Sequence, residues 1–212
     1  MLSYRKRKLE EIVSGFHRIE NAFTIGGNML REKILEGAVS VYRKKGIKFT
    51  MDDLAKEISM SKKTIYTVFR DKKHLIYDLV NYVFDQIKES EAAVVNDDSL
   101  STTEKLRRVL SLMPESFTGV DFPSLYDYKD KYPKAYKAVR ERLESGWETT
   151  LGVVRQGIDD GSFRHVDLHL FQMIYEAAVE RFLSTGELDK YGIHYGEALD
   201  GLSDMLINGI KA

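Results

Sequence analysis

The chain contains no cysteine, which removes any disulfide framework, thiolate nucleophile or cysteine-ligated zinc and fits a reducing compartment. Proline is scarce, three in 212 residues, so few positions interrupt a helix. No apolar run approaches the roughly 20 residues that cross a bilayer, which points away from a spanning helix. The start, Met1 to Glu11, lacks a hydrophobic signal segment. A Gly-rich phosphate loop, a nucleophile elbow and a paired-carboxylate arrangement of definable geometry are also missing, so no enzyme activity is expected. These absences lead to the expectation of a cytoplasmic protein without cofactor or metal.

The formal net charge of −1 hides a division. Residues 1 to 78 hold 17 Lys and Arg against 10 Asp and Glu, whereas the remainder holds 15 against 23. A basic head on an acidic body suits a polyanion-binding segment joined to a part with another task, because clustered cations on a phosphate backbone release counterions.

Apolar residues recur at helical spacing almost throughout, which predicts an all-α fold. Leu30, Ile34, Ala38, Val41 and Tyr42 form one stripe, closed by Lys44, Lys45 and Gly46. Thr50 ahead of Asp52 and Asp53 starts a short helix with Leu54, Ala55 and Ile58 on its inner face. Ser61 caps a third, with Ile65, Val68 and Phe69 inward and Lys62, Lys63, Thr64, Tyr66, Thr67 and Arg70 outward. Asp71 caps a fourth that carries Leu75, Leu79, Val83 and Ile87 and runs to about Ala93, before the polar stretch Asn96-Asp97-Asp98-Ser99. Further helices are expected over about 101–113, 122–130, 133–159, 167–184 and 195–210.

Three short capped helices followed by a long one match a helix-turn-helix unit on a helical body, with small Ala55 at the crossing of the second and third helices. Residues 50 to 75, TMDDLAKEISMSKKTIYTVFRDKKHL, resemble the DNA-binding segment of the tetracycline-repressor (TetR) family of transcriptional regulators. The resemblance rests on Thr50, Ala55, Ser61, Thr64-Ile65-Tyr66, Phe69 and Lys72 beside Leu75. It departs at Ser59, where the family often has glycine, at Lys63, where a small residue is common, and at Val68, often histidine. The resemblance implies phosphate contacts by Thr50, Thr64, Tyr66 and Lys72, and Lys62, Lys63 and Thr67 are candidates for base edges. It also implies an N-terminal DNA-binding domain over residues 29–78 and a helical regulatory and dimerisation domain over residues 79–212.

For dimerisation the candidates are Leu168, Phe171, Ala178 and Phe182 on one late helix and Leu199, Leu202, Leu206 and Ile210 on the last. Met113, Phe117, Phe122, Tyr126, Trp147, Met173 and Tyr175 are candidates for an aromatic-lined cavity taking a small, largely apolar inducer. His165, Asp167 and His169 lie across a helix start with no third metal ligand set by spacing, so they are read as helix-end residues. Two readings of residues 1–28 stand. Leu9, Ile12, Val13, Phe16, Ile19 and Phe23 behind Tyr4-Arg5-Lys6-Arg7-Lys8 suit an extra amphipathic helix with a basic arm. Alternatively, Gly26-Gly27-Asn28 reflects a ribosome-binding sequence ahead of a start at Met29.

The expectation is therefore a homodimeric repressor of a pseudo-palindromic double-stranded operator, relieved by a small molecule. The rival is a helical interaction protein whose basic head binds an anionic membrane surface or acidic partner. The turn geometry that Ile65 and Phe69 anchor is not needed for that role.

Overall fold

The computed structural model describes residues 27–113, 123–184 and 186–212, with backbone alone at 123–125. The readings placed on residues 1–26, on Phe117 and on Phe122 lie outside the described residues. The described chain is helical and carries one isolated antiparallel bridge, Phe163 to Lys211. Helix α1 covers residues 27–45 and runs into a 3-10 turn, Gly46–Lys48. Then follow α2 (Met51–Glu57), α3 (Lys62–Val68), α4 (Lys72–Val95) and α5 (Thr102–Leu110). A 3-10 segment, Pro123–Tyr128, leads to α6 (Pro133–Leu143), α7 (Glu148–Asp159), α8 (Leu168–Ser184), α9 (Glu187–Tyr191) and α10 (Tyr195–Ile210).

Helices α2, α3 and α4 begin with local caps. Thr50 forms a reciprocal capping box with Asp53, Ser61 accepts the Thr64 amide and Asp71 accepts that of His74. Each satisfies an amide that a helix start leaves without a partner. Ile34, Leu35, Leu54, Ile65, Phe69 and Leu75 then close a common core, all essentially inaccessible. The tightest approach in this head is at Gly37 of α1, where an added Cβ would sit 2.0 Å from Ile58 Cγ2. Ala55, expected at a helix crossing, is half-buried against the same core.

Helix α4 runs through the expected boundary at residue 78 without a break. Its 24 residues span about 36 Å. Leu75, Ile76, Leu79 and Val80 join one core cluster with Ile34 and Leu54 of the head and Val139 and Leu199 of the body, and α4 packs against α5, α6 and α7. A second cluster joins Leu106 and Leu110 of α5, Leu151 and Val154 of α7, Phe163, Phe171 of α8 and Ile207 of α10.

Two expectations change. The helix read over 133–159 is two helices, α6 and α7, because Gly146 adopts φ +73° between them and Lys88 donates to its carbonyl at 2.7 Å. The short α9 lies between Gly186 and Gly192, both left-handed, and was not expected.

Candidate functional site

The head presents its third helix outward. Ile65 and Phe69 anchor α3 from beneath, leaving Lys62, Lys63, Tyr66 and Thr67 exposed. Thr64 is half-buried; its hydroxyl lies 2.9 Å from that of Ser61. The Thr67 hydroxyl donates to the Thr64 carbonyl at 2.6 Å, and Lys62 pairs with Asp52 at 2.9 Å, which raises the pKa of its ammonium. Lys63 has neither hydrogen bond nor ion pair among the described residues. A seven-residue helix with an ammonium, a phenol and a hydroxyl on one side fits a DNA major groove in width and in donor chemistry.

The turn before α3 carries strain. Ser59 has φ +52°, the single positive value at a non-glycine residue among those described. This is the position where the sequence departs from the family's usual glycine, and the backbone has kept the left-handed geometry without it.

Lys72 occupies a different place from the expected phosphate contact. Its ammonium points inward, donating to the carbonyl of Ile47 at 2.6 Å and to that of Phe49. It lies 4.1 Å from the centroid of the Phe49 ring and 5.9 Å from that of Tyr132. Burial, helped by the nearby positive charge of Lys131, lowers its pKa to about 8. Lys72 thus ties the start of α4 to the turn before α2. The chain motif could not reveal this, since the two carbonyls lie 25 and 23 residues away.

A cavity of about 170 Å³ lies between α4 and helices α5 to α8 and α10, and Val39 and Tyr42 of α1 complete its wall on the side of the head. Met113, Tyr126, Trp147 and Tyr175 of the expected set line it. Met173 does not. It is 63% exposed on the outer side of α8, because Phe171, Tyr175 and Val179 take the inner side and a residue two positions away points elsewhere. The Tyr175 hydroxyl donates to the Leu110 carbonyl at 2.6 Å, and its ring meets that of Trp147 edge to face at 5.4 Å. The Tyr126 hydroxyl is buried without a partner among the described residues, and burial pushes its pKa up.

Sequence reading missed the contribution of α4. Phe84, Lys88 and Glu91 all line the cavity. Glu91, 7% exposed, accepts from Lys88 at 2.8 Å, and burial raises its pKa against the opposing effect of that lysine. A signal existed. The stripe Leu75, Leu79, Val83, Ile87 continues, four residues on, to Glu91, a carboxylate at an apolar position.

Of the expected dimer residues, Phe171, Leu199, Leu202 and Ile210 are buried within the one chain, and Leu168, Ala178, Phe182 and Leu206 are half-buried against its cores. The exposed apolar surface on the same two helices is made by Leu170, Met173 and Ile174 of α8 and Met205 of α10. Beside them Ala177 and Gly201 are exposed and small.

Among the described residues no group of three or more His, Asp or Glu is placed to hold a metal ion, and no helix is long and apolar enough to cross a membrane.

Comparison with known proteins agrees with this geometry. Residues 34–79 match the family model described as bacterial regulatory proteins, tetR family. A curated relative, the uncharacterized HTH-type transcriptional regulator YvaF of Bacillus subtilis, is 24% identical over 181 residues, 85% of this chain and 95% of its own. Among solved structures, a TetR transcription regulator from Haloarcula marismortui superposes with a TM-score of 0.66 at 17% identity, over 87% of this chain and all of its own. The regulator FadR from Bacillus subtilis, in complex with stearoyl-CoA, does so with a TM-score of 0.56 at 18% identity, over 84% and 95%. At these identities the solved structures speak for the fold: a helix-turn-helix head on a helical body.

Proposed function

We propose that the chain, whose residues 34–79 match the tetR family of bacterial regulatory proteins, is a regulator of that family that represses transcription as a homodimer and releases its operator when a small molecule fills the cavity. One observation carries the reading. Helix α4 is a single rod that begins in the head core, at Leu75 and Ile76, and lines the cavity from Ile76 to Glu91. A ligand that favours one tilt of the rod therefore also favours one placement of α3. The mechanism is a population shift, so operator must weaken ligand binding by the factor with which ligand weakens operator binding.

In this reading Lys63, Lys62 and Thr67 face base edges, and Tyr66, Thr64 and Thr50 face phosphates. Lys72 acts from behind, holding the turn before α2 against α4. The second subunit docks on the outward face of α8 and α10, around Leu170, Met173, Ile174 and Met205, with Ala177 and Gly201 permitting close approach. Two recognition helices then read half-sites about one helical turn apart or a multiple of it.

Fluorescence anisotropy with the DNA upstream of the protein's own gene, against scrambled DNA at two salt concentrations, tests the reading. Preference of about a thousandfold with a steep salt dependence is expected. Absence of binding at low salt rules out DNA recognition. Tyr66→Phe should weaken binding evenly across sequences; a change confined to base preference would move Tyr66 to a base edge.

A further inference from the structure

We propose that the cavity takes an organic cation, a compact apolar body of about one ring carrying an ammonium group, with Glu91 as its counter-charge. This rests on the reading of the cavity as the regulatory ligand site and names the chemistry of that ligand.

The volume sets the size. A dry cavity of on the order of 150 Å³ holds one benzene ring, and this one measures about 170 Å³. The walls set the chemistry. Glu91 is a nearly inaccessible carboxylate in an otherwise apolar stripe of α4, with Phe84 one helical region back and the Trp147–Tyr175 pair across the cavity. Burial raises the pKa of the Tyr175 phenol, and the negative charge of nearby Glu91 raises it further. Aromatic faces around a buried carboxylate form a site for a cation, which gains from both the ring quadrupoles and the ion pair.

Lys88 is the internal occupant, and the two partners differ in freedom. The Lys88 side chain is 36% exposed and that of Glu91 9%. Lys88 also donates to the Gly146 carbonyl, on the loop between α6 and α7. Its long stem can turn toward water, whereas Glu91 has no such route, and among the described residues Glu91 has no second hydrogen-bond partner. An incoming ammonium can therefore replace Lys88 on the carboxylate. Arg142, the remaining charged residue of the lining, is already held by Asp85 and Asn81, so a ligand carboxylate would instead place a second negative charge beside Glu91 in poorly solvated surroundings.

Trp147 is the one tryptophan of the chain and lines the cavity, so its fluorescence reports occupancy directly. Three probes share one body: 4-methylbenzylamine, 4-methylbenzyl alcohol and 4-methylbenzoate, titrated into the full-length protein near neutral pH. The amine is expected to bind at least about tenfold more tightly than the alcohol, and the benzoate most weakly. Glu91→Gln should remove the preference for the amine while leaving the alcohol within about threefold, and Lys88→Met should tighten the amine. The wild-type ranking stands as a test without either variant. Equal binding of amine and alcohol, tightest binding of the benzoate, or no response of Trp147 to any probe overturns the proposal. Operator anisotropy separates the two readings. Amine binding that leaves operator affinity unchanged sinks the regulatory reading and keeps the cation site. Release of operator by the alcohol as readily as by the amine does the reverse.

Discussion

The head and the body of this protein solve the same problem, satisfying polar groups around an apolar core, over different distances along the chain. At the helix starts of the head the partners are neighbours. Thr50 and Asp53, Ser61 and Thr64, and Asp71 and His74 are each three residues apart. The bonds that tie the body's helices together are remote: Lys88 and Gly146 are 58 residues apart, Tyr175 and Leu110 65, and Ser203 and Arg107 96. Capping is a rule about adjacent residues, so the head can be read along the chain, whereas the body's bonds exist only after its helices have packed.

The comparison also separates what each region exposes. The head turns cations, a phenol and hydroxyls outward on α3, while the body leaves Leu170, Met173, Ile174 and Met205 uncovered on α8 and α10. The largest expected effect tests whether the head depends on that face. Met173→Glu combined with Met205→Glu should yield a monomer by sedimentation, with operator affinity reduced at least about a hundredfold through loss of the second half-site. A variant that stays dimeric would move the interface elsewhere.

Packing gives the next contrast. Gly37→Ala in the head should destabilise by about 1–3 kcal/mol, since β-branched Ile58 cannot swing away cheaply. Gly152→Ala in α7 has open space around the new Cβ and should stabilise by up to about 1 kcal/mol through helix propensity. Urea denaturation of both variants checks the pair; equal and small effects would mean that the α1–α2 approach relaxes freely. Ser59→Gly should stabilise the head by about 1 kcal/mol by relieving its left-handed backbone. No gain in the denaturation midpoint would show that the turn repays the strain in another way.

Lys72 gives an effect that depends on pH. Its pKa is about 8 in the folded protein against an ordinary 10.5, so between those values the unfolded chain binds more protons and stability rises with pH. Wild type should therefore gain stability over Lys72→Met from about pH 8 to 10.5. Parallel profiles would place the ammonium in water rather than on the Ile47 and Phe49 carbonyls.

The expected site divides along the same line. The outward set on α3 is where the periodicity placed it, because a short helix with two large inward residues has one possible outer face. Lys72, legible as a cation beside Leu75 in the resemblance, turns inward because carbonyls more than twenty residues upstream come to lie beneath it. Four of seven expected cavity residues line the cavity, and Met173 points away because α8 has two apolar faces and its sequence does not say which is inner. Phe171, Leu199, Leu202 and Ile210 show the same ambiguity on the expected dimer surface: an apolar stripe announces burial without naming the partner.

What the sequence by itself determined is therefore local: an all-helical chain, its short capped helices, the basic head, and the face that α3 turns outward. These follow from 3.6-residue periodicity and from caps whose partners lie within one turn. Tertiary structure alone decided that Lys72 faces the protein, that α6 and α7 are separate helices, and that Glu91 lies within a cavity. Each depends on contacts between segments tens of residues apart, whose relative placement is set by packing of the whole core.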